Sequence, residues 1–183
     1  GSNFHLNDFQ NALIEFQSIS GWPIFADPLG GISKKQSGLI GNWESLLLSG
    51  LLDSNERIQV LRLGPMPASR TLETWLRSIG KDQLVISEAM ESRSIDPLGL
   101  ANQRSDGFVA WFKSFLKEEP HTENRPAKES IKFLNMCVEF DQLVNKWLDQ
   151  KLPLKGSINE PSLARWLPRL IPRDVPIMLS ASS

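Results

Sequence analysis

One stretch of the 183 residues constrains the fold more than any other: Ile58-Gln59-Val60-Leu61-Arg62-Leu63-Gly64-Pro65-Met66-Pro67-Ala68-Ser69-Arg70-Thr71-Leu72. An apolar run ends in Gly-Pro, passes a Pro-broken loop and opens a helix at Ser69. Strand, crossing loop and helix are the unit of an α/β domain. Ligands of open α/β sheets gather where strands hand over to helices. Ser69 and Arg70 therefore form the best candidate site. Ser69 can cap the first turn, and Arg70 lies beside free N–H groups that favour negative ligands. A plain N-cap with a solvated arginine is the competing reading.

Charge balance narrows the function. Lys+Arg number 20 against Asp+Glu 21, so the basic excess of a nucleic-acid binder is missing. The one cysteine, Cys137, stands among Phe133, Met136 and Phe140 at helical spacing and reads as an inert core thiol. His5 and His121 are far apart, and no metal site of protein ligands is expected. No apolar run approaches the ~20 residues of a membrane span. No signal peptide is visible, so the cytosol is the expected compartment. Six tryptophans and no tyrosine are present, and the tryptophans read mostly as core.

Periodicity gives the element order. Asn7 to Ile19 reads as a helix capped by Asn7, with Gln10 in capping-box position and Gly21 as stop. Trp22–Ala26 reads as a short strand. Asn42 caps a short helix through Leu48 with Gly50 as stop, Arg57–Leu63 is a strand, and Ser69–Ile79 is an amphipathic helix. Gln83–Ser87 is a strand, followed by a turn through Arg93, Asp96 and Pro97. Gly107–Lys117 is an amphipathic helix. This alternation is that of parallel βαβ units. Three strands are few for a sheet, and a further strand is expected before Asn3. The charged, Pro-broken EEPHTENRPAK makes residues 118–128 a linker after a 1–117 α/β domain. Beyond it lie a long helix, Glu129–Gln150, and a helix Glu160–Leu170 that Pro168 should bend or end. A strand at Pro176–Leu179 looks like the start of a further domain.

Known chemical motifs are few. Gly30-Gly31 lacks the GxGxxG spacing, and no P-loop, HExxH or GxSxG is present. Arg62 lies on a strand, and if it points inward it needs a carboxylate such as Glu44 or Asp82. Arg93 and Asp96 read as a local salt bridge, and Glu88 and Glu91 as solvated. No carboxylate pair is placed for acid–base work.

GWPIFADPLGGI (Gly21–Ile32), VLRLGPMPASRTLETWL (Val60–Leu76) and SRSIDPLG (Ser92–Gly99) resemble the central domain of a thiamine diphosphate enzyme family, over nearly the whole chain. The family is the 2-succinyl-5-enolpyruvyl-6-hydroxy-3-cyclohexene-1-carboxylate synthases of menaquinone and phylloquinone biosynthesis. The resemblance implies an open, doubly wound, mostly parallel sheet flanked by helices. It implies that residues 129–183 are connecting helices and the first strand of a diphosphate-binding domain. It implies a full-length transferase that decarboxylates 2-oxoglutarate on thiamine diphosphate with Mg2+ and adds the product to isochorismate. The activating glutamate and the magnesium motif would belong to its N- and C-terminal domains, the partners of this one. This chain would bind no cofactor or metal and would be inactive alone, and the full-length enzyme would be a dimer or tetramer. The resemblance further gives Arg70 a substrate carboxylate to hold. Ser69 stands where the family often has a basic residue and would cap the helix or donate one hydrogen bond. Ser183 matches an active-site serine.

Two other functions compete. A free-standing domain binding FAD or ADP would show stabilisation by that nucleotide. A non-enzymatic adaptor would expose its Trp147 and Trp166 faces as partner grooves.

Overall fold

The computed structural model describes residues 5–53, 58–88, 94–118, 125–155, 159–172 and 175. The polypeptide divides into two compact units, Gly1–Asp141 and Gln142–Ser183.

The first unit is built on a parallel sheet of β1 (Val60–Leu63), β2 (Gln83–Ile86) and β3 (Asn102–Arg104), in that spatial order. Val60 stands opposite Gln83, and Leu84 opposite Asn102. Helices α1 (Leu6–Ser20) and α4 (Phe108–Glu118) pack together on one face. Helices α2 (Trp43–Leu48) and α3 (Arg70–Ile79) pack together on the other, joined there by the N-terminal part of α5 (Lys128–Lys151). The α/β class and the parallel pairing agree with the sequence.

Strand alternation sorts the two cores. Leu61, Leu63, Leu84 and Ile86 meet Leu13, Phe108 and Phe112. Val60 meets the opposite cluster of Ile40, Leu46, Trp75, Leu76 and Cys137. The α1–α4 layer is aromatic: Phe16 lies edge-on to Phe108 and Phe112, with ring centroids 5.9 and 5.7 Å away. Edge-to-face rings place positive edges against negative faces.

Some boundaries differ from expectation. α1 starts a residue before Asn7, with His5 at the cap position and no side-chain cap. Gln10, rather than completing a capping box, donates to the Gly31 carbonyl (3.2 Å). Gly21 ends α1 as expected, because its φ of 66° is the left-handed C-cap conformation. α2 runs through Leu48 as expected, and Ser49, one residue before Gly50, is its C-cap. Trp22–Ala26 is no full strand: a single parallel bridge, Ile24 to Leu39, replaces it. β3 is absent from the sequence reading, since Asn-Gln-Arg carries no apolar alternation. Arg57 lies outside the described residues, and β1 begins at Val60.

Two polar anchors hold the first unit together. The Asp141 carboxylate of α5 accepts from the Asn42 main chain (2.7 Å) and side chain (2.8 Å). Asn42 thus spends its side chain on α5 and makes no cap bond to α2. Trp43 donates its indole N–H to the Ala26 carbonyl (3.1 Å).

The second unit holds the rest of α5 and α6 (Glu160–Leu170). Asn159 caps α6 by accepting from the Ser162 N–H (2.9 Å). α6 runs two residues past Pro168, which occupies its last turn. Arg165 joins the helices by donating to Asp149 (3.0 Å) and Asn145 (2.9 Å). Trp147, expected in the core, is 55% exposed. Trp166 is half-buried, donates to the Leu152 carbonyl and carries Arg169 over its ring at 4.6 Å. No helix among the described residues is long and apolar enough to cross a membrane.

Candidate functional site

The loop from β1 to α3 is locally determined. Gly64 has φ 85°, open to glycine at little cost, and its N–H donates to the Ile86 carbonyl (2.9 Å). Pro65 and Pro67 break the strand, and the Ser69 N–H donates to the Pro67 carbonyl (2.9 Å). Ser69, in extended backbone, caps α3 by accepting from the Leu72 N–H (3.2 Å). Its hydroxyl donates to Glu44 in the first turn of α2. A hydroxyl has one proton, and here that proton is committed to Glu44.

Arg70 is the first residue of α3 and is exposed. Its guanidinium forms no ion pair among the described residues. The side chain sits one residue past a fixed cap, charged and open to an anion. Ser183 lies outside the described residues, as do Pro176–Leu179, Glu91 and Arg93.

A cavity of about 940 Å³ lies beside β1. It is lined by α1, by residues 22–27, by β1 and the start of the following loop, and by α3 and α5. Ser69 and Arg70 do not line it.

Arg62 does line it, and is buried. Its carboxylate is neither Glu44 nor Asp82 but Asp96, at 2.7 Å. Glu44 is engaged with Ser69. Asp96 is also held by the N–H groups of Leu100 (2.8 Å) and Ala101 (2.9 Å). Burial pushes the Asp96 carboxyl upward, but the Ala101 N–H, Arg62 and the Leu100 N–H outweigh it, and the pKa falls to about 2. Arg62 Nε and Nη2 are buried without a partner among the described residues. Arg93, the expected partner of Asp96, lies outside the described residues, and Arg62 reaches Asp96 inside the protein. Glu88 is likewise not simply solvated. It accepts from the Phe108 N–H (2.9 Å) and so caps α4. Its position 20 residues before Phe108 hid this from a local reading.

Cys137 is buried, and desolvation pushes its thiol up to about 11. Among the described residues no cluster of three or more His, Cys, Asp or Glu could hold a metal ion.

The chain is similar over most of its length to much longer proteins. It is 49% identical over 96% of its residues to the 2-succinyl-5-enolpyruvyl-6-hydroxy-3-cyclohexene-1-carboxylate synthase of Prochlorococcus marinus (strain MIT 9313), covering 30% of that protein. It is 44% identical over 97% of its residues to the synthase of that name in Prochlorococcus marinus (strain NATL2A), covering 30% of it. For the synthase of that name in Synechococcus sp. (strain CC9605) the identity is 40% over the full length, again covering 30%. The chain thus spans less than a third of the length of these relatives. No family model matches, and no solved structure matches.

Proposed function

We propose that this chain is the central α/β part of a 2-succinyl-5-enolpyruvyl-6-hydroxy-3-cyclohexene-1-carboxylate synthase, which decarboxylates 2-oxoglutarate and adds the product to isochorismate on the route to menaquinone or phylloquinone. The observation that carries this reading is 49% identity to a synthase of that name, sustained over 96% of the chain. The parallel sheet with helices on both faces supports the central-domain reading.

Thiamine diphosphate and Mg2+ are held elsewhere in the longer protein, and the cofactor supplies the electron sink for decarboxylation. No residue of this chain is assigned to bind either one. The isolated chain is therefore expected to be inactive. Its partners are the rest of its own polypeptide and further copies of it.

The residues of this chain contribute positioning. Both substrates are polycarboxylates, and a guanidinium recognises a carboxylate by charge and by two parallel N–H donors. Arg70 has both, at a helix start where the dipole adds to the attraction. Ser69 fixes that start by its cap and through Glu44 anchors it to α2. Ser183 lies further along the chain and is proposed to line the same site.

In the longer enzyme, Arg70→Ala is expected to raise KM for 2-oxoglutarate or isochorismate. A loss of about 1.5–3 kcal/mol in kcat/KM suits a charged hydrogen bond. Steady-state kinetics check it, and unchanged constants remove Arg70 from the site. Stabilisation of the 183-residue chain by FAD or ADP in a thermal-shift assay would instead favour a nucleotide-binding domain.

A further inference from the structure

The start of α3 is tied to its surroundings at one point. Gly64 is held by the Ile86 carbonyl, but from Pro65 onward the chain is a Pro-broken loop that runs into the first turn of the helix. Among the described residues, one side chain from outside this loop and α3 hydrogen-bonds to residues 65–71. It is Glu44.

Glu44 stands on a fixed base. α2 buries Leu46 and Leu47 in the core, ties its Trp43 indole to the Ala26 carbonyl (3.1 Å) and is joined through Asn42 to Asp141 of α5. Asn42 makes no side-chain cap to α2. The Glu44 carboxylate, in the first turn of that helix, nevertheless reaches across to the Ser69 hydroxyl. That hydroxyl in turn accepts from the Leu72 N–H (3.2 Å). Carboxylate, hydroxyl and amide form a relay from α2 into the first turn of α3. A hydrogen bond to a charged acceptor is about twice as strong as a neutral one, so the relay is a firm one.

Arg70 leaves the same turn that the relay fixes. Glu44 forms no ion pair with it. The negative charge therefore lies beside the open guanidinium without closing it. Its two effects on an acidic ligand oppose each other. The hydrogen bond presents Arg70 from one fixed turn, which favours binding. The charge repels the carboxylate that Arg70 would hold, which disfavours it. Ser69, its one proton given to Glu44, donates nothing to the ligand.

We propose that Glu44 is the positioning residue of the Arg70 site: through Ser69 it fixes the turn from which Arg70 reaches an acidic substrate, and its charge tempers how tightly that substrate is held. This rests on the reading of Arg70 as a substrate-binding residue.

Glu44→Ala and Glu44→Gln in the longer enzyme, beside Arg70→Ala, test it. Gln keeps an oxygen to accept from Ser69 and loses the charge, whereas Ala loses both. Glu44→Ala is expected to raise KM for 2-oxoglutarate or isochorismate about 5–10-fold with kcat little changed, and to add nothing in the Arg70→Ala background. Glu44→Gln is expected to lower the same KM about 2-fold, a gain that fades as salt is added. A merely structural role moves both variants in one direction. Residue-resolved hydrogen exchange supplies a readout apart from turnover. The Leu72 amide is expected to exchange about 5-fold faster in Glu44→Ala and near the parental rate in Glu44→Gln. Unchanged Leu72 exchange in Glu44→Ala overturns the proposal. So do equal KM shifts in the two Glu44 variants, or a Glu44→Ala effect that adds in full to that of Arg70→Ala. Parental constants in Glu44→Ala beside a raised KM in Arg70→Ala overturn it alone. Parental constants in Arg70→Ala remove the reading beneath it, and the substrate role of Glu44 falls with that reading.

Discussion

Arg62 and Asp96 carry the largest electrostatic stake in the first unit. Both are buried and 2.7 Å apart. Breaking such a pair leaves one charge uncompensated, so Asp96→Asn is expected to destabilise the protein by about 3–5 kcal/mol in chemical denaturation. Asp96 also predicts a pH dependence. Its folded pKa of about 2 lies below the ordinary 3.8, so its contribution is complete above about pH 5 and fades as pH falls toward 2. The total is about 2 kcal/mol by linkage. Thermal melts of the parent and Asp96→Asn should differ most near neutral pH and converge in acid. Cys137, with its thiol near 11 and no exposed surface, should react with a thiol reagent only at the rate of opening. A single slow phase in a colorimetric thiol assay, fast once the chain is denatured, checks this. Arg62's need for a carboxylate was legible in the sequence, because a charge on an apolar strand must be paired. Its partner was not. Asp96 stands 34 residues away in a turn whose Asp-Pro looks self-sufficient.

Helix starts were legible where the cap is local and obscure where it is borrowed. Ser69 and Asn159 lie three residues before the N–H they cap, and the Ser69 cap read correctly from the chain. Ser69→Ala should cost about 1 kcal/mol as a lost cap, with a further loss from stranding Glu44. A lowered melting temperature, partly recovered by Ser69→Thr, is the expected outcome. α4 takes its cap from Glu88, whose contact depends on the sheet bringing residue 88 beside residue 108. Strands show the same division. β1 and β2 are apolar runs and announce themselves. β3 is polar, and only its pairing with β2 defines it. The Trp22–Ala26 run has strand composition yet forms a single parallel bridge, Ile24 to Leu39.

At the scale of the molecule, the α/β class followed from alternating strand and helix patterns, whereas sheet order and the cavity required the fold itself. The candidate site divides likewise. The loop and its cap were readable, but Glu44 as the acceptor of Ser69 was not, since 25 residues separate them. Exposed Trp147 predicts that iodide quenches part of the tryptophan emission of the native chain, and Trp147→Phe should remove most of that accessible part. A Stern–Volmer titration checks it. The cavity has its own optical consequence. With no tyrosine anywhere in the sequence, all near-ultraviolet fluorescence comes from indoles. Trp22, Trp43 and Trp75 stand in the cavity wall. Whatever settles there changes the colour and brightness of light the protein already emits, so occupancy can be followed without attaching a dye.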